Sequence, residues 1–234
     1  TQIAIINGVG AISSGSGQSG FGSELKIKSG DFVKYLKTAR EDKNIKAIIL
    51  RIDSPGGSVI ASDEIWEEIM KTRKVKPVYA SMANIAASGG YYMAMACDTI
   101  IAHPATITGS IGVVMAVPNL SGLMGKLDLT ADTINTNASS QFMNGMFPLD
   151  EKQTSQLHQL SQSIYYRFLN RVAESRGKTF DEVRAVAKGR VWTGEDAHKI
   201  GLVDTLGGLQ TTLNIAKRRL GINPDTKVRV RMFP

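Results

Sequence analysis

The 234-residue sequence is poor in several residue types, and each shortage removes a class of function. A single cysteine, Cys97, excludes an internal disulfide framework and a cysteine zinc cluster. Three scattered histidines, His103, His158 and His198, argue against a histidine-rich metal site, so no metal is expected. Aromatic residues make up 6% of the chain, and no aromatic-plus-basic RNA-binding motif occurs. No apolar run approaches the roughly 18 residues of a membrane-spanning helix. The longest runs, AIIL and GVVMAV, have the length of strands. There is no G-x-x-x-x-G-K-[ST] or G-x-G-x-x-G phosphate loop and no G-x-S-x-G nucleophile elbow. The chain opens at Thr1 without an initiator methionine or a signal peptide, and it reads as a processed piece.

What is present is an ordinary globular composition, 42% hydrophobic and 21% charged. The length suits one hydrophobic core near its upper size. We expect a single domain over 1–234, with an α/β core over about 1–148 and a helical portion over about 149–220. The net charge is +7, but the positive residues are dispersed apart from Lys217-Arg218-Arg219 and Lys227, Arg229 and Arg231. That pattern reads as a solvated surface, with no nucleic-acid partner.

Hydrophobic periodicity places the elements. Gln2 to Ile6 reads as a buried strand, and residues 13–23, SSGSGQSGFGS, as a Gly/Ser-rich loop. Residues 30–43 fit a helix with Phe32, Tyr35, Leu36 and Ala39 on one face. Residues 46–52 form a strand apolar on both faces, as a covered parallel strand should be. A helix over 60–72 follows, then a strand from Pro77 to Met82, a helix over 88–96, and strands at Thr99 to Ala102 and 111–117. This alternation means βαβ units and a mostly parallel sheet. After Pro148 the pattern turns helical: 149–176, with Leu157, Leu160, Ile164, Phe168 and Val172 at helical spacing, then Phe180 to Ala187, a helix opened by Thr193, and 208–220.

Three Gly-rich segments each follow an expected strand: DSPGGS at 53–58, ASGGYY at 87–92 and TGSIG at 108–112. Loops at the carboxyl ends of parallel strands collect at one edge of a sheet, so these three should converge. DSPGG alone reads as a tight turn. Ser88 falls at a strand-to-helix junction, where an N-cap is the common role. A cap does not require two glycines behind it. Glycines there let a backbone N–H approach a reacting carbonyl, and Gly57 on the neighbouring loop can supply a second N–H. Two N–H donors beside a hydroxyl are the parts needed for acyl transfer. A serine nucleophile needs a base. His103, just after a strand in AHPA, reads as a loop residue, and His158 and His198 fall on expected helices and read as exposed. No lysine occurs between Lys76 and Lys126, so a base must come from elsewhere.

The strings RIDSPGGSVIASDEI, ASMANIAASGGYYMAMACDTIIAHPATITGSIGVV and GRVWTGEDAHKIGLVDTLGG resemble the S49 family of serine peptidases, the signal peptide peptidase A or protease IV group. The resemblance runs from about residue 2 to about residue 220. It implies a ClpP/crotonase-like α/β fold, a Ser-Lys dyad, and cleavage of signal peptides and other hydrophobic peptides. By position, Ser88 matches the nucleophile, and Gly57 and Gly89 match the oxyanion positions. In single-unit members the lysine lies ahead of the long helix. Here that stretch, INTNASSQFMNGMFP, contains no lysine, and the aligned place falls near Ser140, bracketed by Lys126 and Lys152. In long members two units are fused, the C-terminal one carrying the serine and the N-terminal one the lysine. This chain resembles such a C-terminal unit.

The resemblance further implies peptide substrates, self-association into a ring or bowl with a preceding N-terminal unit, no cofactor, and membrane association. The catalytic part would then lie outside the cytoplasm or in a plastid. Two other classes fit less of the chain: a catalytically silent peptide-binding or assembly module, and a crotonase-like acyl-CoA enzyme. In the GRVWTGEDAHKIGLVDTLGG segment, Trp192 is expected as a packed anchor, Thr193 as an N-cap and Gly201 as a helix-ending glycine. Tyr91 and Tyr92 are expected to pack behind Ser88, and Asp53 to orient its loop. Met143, Met146 and Phe147 read first as packing residues, with the lining of a peptide groove or a subunit contact as the alternatives.

Overall fold

Short β-branched runs separated by amphipathic stretches build a largely parallel sheet in a computed structural model, which describes residues 1–17, 25–137, 140 and 142–234. The first half contains β1 (Gln2–Val9), β2 (Ala11–Ser13), β3 (Lys26–Lys28), α1 (Ser29–Glu41), β4 (Ile45–Ser54), α2 (Val59–Arg73), β5 (Val78–Ala87), α3 (Gly89–Ala94), β6 (Thr99–Ala102) and β7 (Ile107–Gly109). There follow α4 (Ser121–Lys126), α5 (Glu151–Arg176), α6 (Phe180–Val186), β8 (Val191–Thr193), α7 (Gly194–Lys199), β9 (Thr205–Leu206), α8 (Leu209–Arg219) and β10 (Arg229–Phe233).

The main path of the sheet runs β10-β1-β4-β5-β6-β9, with every pair parallel. β7 joins β5 in parallel and β8 in antiparallel fashion. β1 and β4 match Ile3 with Ala47 and Ile6 with Leu50. Residues 47–50 have no exposed surface, which is why they are apolar on both faces. On one face Ile3, Ile5, Ala47, Ile49, Tyr79 and Ile101 form a core under α8, packed against Leu209, Leu213 and Ile215. Side chains alternate along a strand, so Ala4, Ile6, Ile48 and Leu50 serve the opposite face. α1 presents Phe32, Leu36 and Ala39 and α2 presents Ile65 and Ile69 as buried residues.

The chain divides into two compact units, Thr1–Gly112 with Phe168–Pro234, and Val113–Arg167. The first holds the whole sheet. The second holds α4 and the first part of α5, and it buries few side chains: Val114 is 95% and Ile134 100% exposed. The fifth strand expected at 111–117 is absent. Ile107–Gly109 takes the place beside β5 and β8 instead, and residues 113–120 carry no regular element. An apolar run alone cannot report whether sheet neighbours are left to pair with it. Met143, Met146 and Leu160 are likewise exposed rather than packed, and burial on α5 is confined to Gln153 and to Phe168, Leu169, Val172 and Ala173. Residues 18–23 of the expected Gly/Ser loop lie outside the described residues.

Helix ends follow local chemistry. Thr179 and Glu182 form a reciprocal capping box at the start of α6. Thr193 accepts the Asp196 N–H at the start of α7, and Gly201 follows that helix at φ 77°. Trp192 is half-buried, its Nε1 donating to Val186 O at 3.0 Å. Two features have no simple sequence signal. β10, read as surface charge, pairs with β1 as a strand, with Arg231 bonded to Asp42 at 2.6 Å and Phe233 buried. Glu68 lies buried on the inner face of α2, in an ion pair with Arg40.

Replacing Glu68 with alanine leaves the Arg40 guanidinium without its partner. We expect a loss of about 2 kcal/mol in urea unfolding, less than a fully buried pair would lose because Arg40 keeps some contact with water. A change within experimental error would show that the pair adds nothing. Cys97 is buried, and burial pushes its thiol well above the usual range. The thiolate is the reactive form, so iodoacetamide at pH 8 should leave Cys97 unmodified until the chain is unfolded.

Candidate active site

The three Gly-rich loops meet at the carboxyl end of β5. Ala87 pairs with Gly109, and the Ser88 N–H donates to Gly109 O at 2.9 Å. The DSPGG turn comes in from β4. A Cβ built on Gly56 would lie 2.7 Å from Gly89 N and 2.8 Å from Ser88 Cβ, so only a glycine lets the two turns touch. β2 holds the turn from its other side: the Ile12 N–H donates to Gly56 O at 2.8 Å and the Ser58 N–H to Ile12 O at 2.9 Å. A side chain on Gly57 would collide with Ile12 O.

Ser88 sits at φ 52° and ψ −116°, a conformation that non-glycine residues avoid. Its carbonyl accepts the Tyr92 N–H at 2.8 Å and so opens α3. The side chain does not cap that helix. Ser88 Oγ has no hydrogen-bond partner among the described residues, and the residue is half-buried. The common capping role therefore does not apply. Gly89, the first residue of α3, has an N–H that the helix cannot use. Among the described residues neither the Gly57 nor the Gly89 N–H donates a backbone bond. The structure thus brings Ser88, Gly57 and Gly89 into adjoining turns.

The turn is braced from behind. Tyr91 is fully buried and donates to Leu202 O at 2.9 Å, and burial raises its phenol. Tyr92 OH donates to Asp63 Oδ1 at 2.8 Å, and its ring meets Phe168 edge-on at 4.8 Å. Arg171 bonds both Asp63 and Tyr92 OH and lies 3.7 Å from the Trp66 ring centroid. Burial lowers the Arg171 pKa, and Glu174 opposes that shift. Asp63 and Arg171 were not foreseen. They stand 108 positions apart, and no spacing rule links them. Asp53 ties its loop to β5, accepting from Ile85 N and Asn84 Nδ2, each at 3.1 Å.

No described residue offers Ser88 Oγ a bonded base. His103 and His198 use Nδ1 on backbone groups at 3.2 and 3.1 Å. His158, Ser140, Lys126 and Lys152 belong to the second unit, and all four are exposed. Ser140 Oγ accepts the Asn137 N–H at 3.2 Å. Among the described residues no group of three or more His, Cys, Asp or Glu is arranged to hold a metal, and no helix is long and apolar enough to cross a membrane.

Comparison with known proteins gives two family matches. The model for Peptidase family S49 matches residues 70–223, and that for Clp protease matches residues 23–110. The chain is 42% identical over 229 residues to "Serine protease SPPA, chloroplastic" of Arabidopsis thaliana, covering 97% of this chain and 34% of that protein. It is 35% identical to "Putative signal peptide peptidase SppA" of Enterococcus faecium, with 95% and 64% covered. It is 36% identical to "Putative protease slr0021" of Synechocystis, with 96% and 76% covered. The chain thus spans about a third of the first relative and about two thirds of the second.

The contact between turns is testable without any substrate. Gly56→Ala places a methyl against Gly89 N at a backbone angle of φ 104°. We expect a loss of about 2 kcal/mol in urea unfolding, since the turns must separate. An unchanged midpoint would mean that the turns do not touch as described.

Proposed function

The chain belongs to peptidase family S49, and on that premise we propose that it is a serine endopeptidase unit with Ser88 as its nucleophile. The observation that carries the reading is the unpartnered hydroxyl of Ser88, held at a strained turn that touches the DSPGG turn, with the Gly57 and Gly89 N–H groups in these two turns making no backbone bond among the described residues. Ser88 Oγ attacks the scissile carbonyl, and the N–H groups of Gly57 and Gly89 hold the oxyanion. A neutral lysine takes the hydroxyl proton and returns it to the leaving amine as the C–N bond breaks. Water then releases the acyl group from Ser88. Signal peptides and other hydrophobic peptides are the substrate class, bound extended along the loops.

The lysine comes from another unit in this reading. The stretch 134–148 contains none, and the chain spans only 34% of its Arabidopsis relative. The same lack favours the second reading, in which this polypeptide by itself is a silent peptide-binding or assembly module. We assign the ClpP/crotonase-type fold, supported by the Clp protease match over residues 23–110. Self-association into a ring or bowl is supported by the exposed apolar side chains of the second unit, among them Val114, Ile134 and Leu160. The relative's chloroplastic name supports a plastid location, or one outside the cytoplasm, with membrane association supplied by other parts of the protein.

A fluorophosphonate probe separates the two readings. In the full-length protein Ser88 should be labelled, and Ser88→Ala should lose labelling and peptide hydrolysis while keeping its unfolding midpoint. Labelling of Ser88 in the full-length protein but not in this chain alone would place the base in another unit. Wild-type turnover by the alanine variant would remove Ser88 from the mechanism.

A further inference from the structure

A second pocket opens where β5 exchanges neighbours. The strand pairs with β6 as far as Ser81 and with β4 without interruption as far as Met82, and from Ile85 it pairs with β7. Parallel strands that part at their carboxyl ends leave a crevice of the kind that holds ligands in α/β sheets. A cavity of about 210 Å³ lies there, lined by Arg51, Asn84, His103 and Thr106, and by Gly208 ahead of α8. Arg51 and His103 stand two residues beyond Ile49 and Ile101, which support α8, so they share that face of the sheet.

The charge of Arg51 is incompletely matched. Its Nη1 donates to Ser81 Oγ at 3.0 Å and to Met82 O at 2.8 Å. The Nε hydrogen and both Nη2 hydrogens have no partner among the described residues, and the guanidinium forms no ion pair there. Burial lowers its pKa, and Asp53 only partly offsets this. The Asp53 carboxylate is engaged by Asn84 Nδ2 and the Ile85 N–H. A partly buried cation with spare donors is stabilised by an anion that accepts them. His103 adds a donor. Its Nδ1 accepts the Ala105 N–H, which leaves the proton of the neutral ring on Nε2.

We propose that this cavity binds a small oxyanion group, a carboxylate or a phosphate, through the free edge of the Arg51 guanidinium and the Nε2–H of His103. Its volume suits one such group with its nearest carbon or oxygen substituent. The fork of a guanidinium fits two oxygens of either anion. The site shares no residue with the Ser88 turn, so its test stands apart from that of the peptidase reading.

The test is histidine NMR on the intact chain, titrated separately with inorganic phosphate, acetate and neutral acetamide. We expect the His103 ring signal to shift saturably with a Kd on the order of 1 mM, while His158 and His198 stay still. Arg51→Gln should weaken binding about tenfold. Saturation by phosphate but not acetate identifies a phosphate site, and saturation by acetate identifies a carboxylate site. Should Arg51→Gln fail to fold, the rise in unfolding temperature caused by the anion should shrink in His103→Gln, a change at an exposed residue. No saturable shift up to about 50 mM, equal binding of acetamide, or unchanged affinity in the variants would overturn the proposal.

Discussion

The contact between Gly56 and the Ser88–Gly89 peptide is the constraint on which the site depends. Two loops from neighbouring strands approach until a single methyl group would force them apart. That proximity puts Ser88 and Gly89 in the turn that adjoins the one carrying Gly57. Three other elements enforce it. β2 bonds to the outer side of the DSPGG turn, β7 accepts the Ser88 N–H, and the Asp63–Arg171–Tyr92 cluster anchors α3 from behind. Each of these fixes the backbone, so Ser88 needs no side-chain bond to hold its position.

A serine held in a strained backbone conformation is costly for a structure that has no use for it. Serine at a helix start ordinarily accepts an N–H from the next turn. Ser58, at the start of α2, does so with Ala61 N at 3.3 Å. Ser88 does not, although its carbonyl has already begun a helix. Of two serines at helix starts within the same unit, one is thus satisfied as a cap and the other is left open.

Much of this was legible in the sequence because it rests on local rules. The buried strands QIAII and KAIILRI, the cap at Thr193 and the glycine at 201 each follow from the residues within a few positions. The three loops were placed together by one topological rule about parallel strands. What escaped was set by distant partners. Glu68 looks like a surface residue of α2 until Arg40 is set beside it. GVVMAV has strand composition but finds its place in the sheet taken by Ile107–Gly109. The apolar positions of α5 keep helical spacing along their length, yet only its last turns reach a core.

The pairing of β10 with β1 has a consequence for handling the protein. The final strand, joined through Gln2↔Arg229 to Ile6↔Phe233, covers a flank of β1 that would otherwise present open amide and carbonyl groups beside isoleucines. An uncovered flank of that kind recruits strands from other molecules. The arginines of β10 put charge on the outermost strand, where it discourages such growth. Arg229–Phe233 thus shields the flank of β1 from stray strands, and a variant lacking this segment would leave that flank open to them.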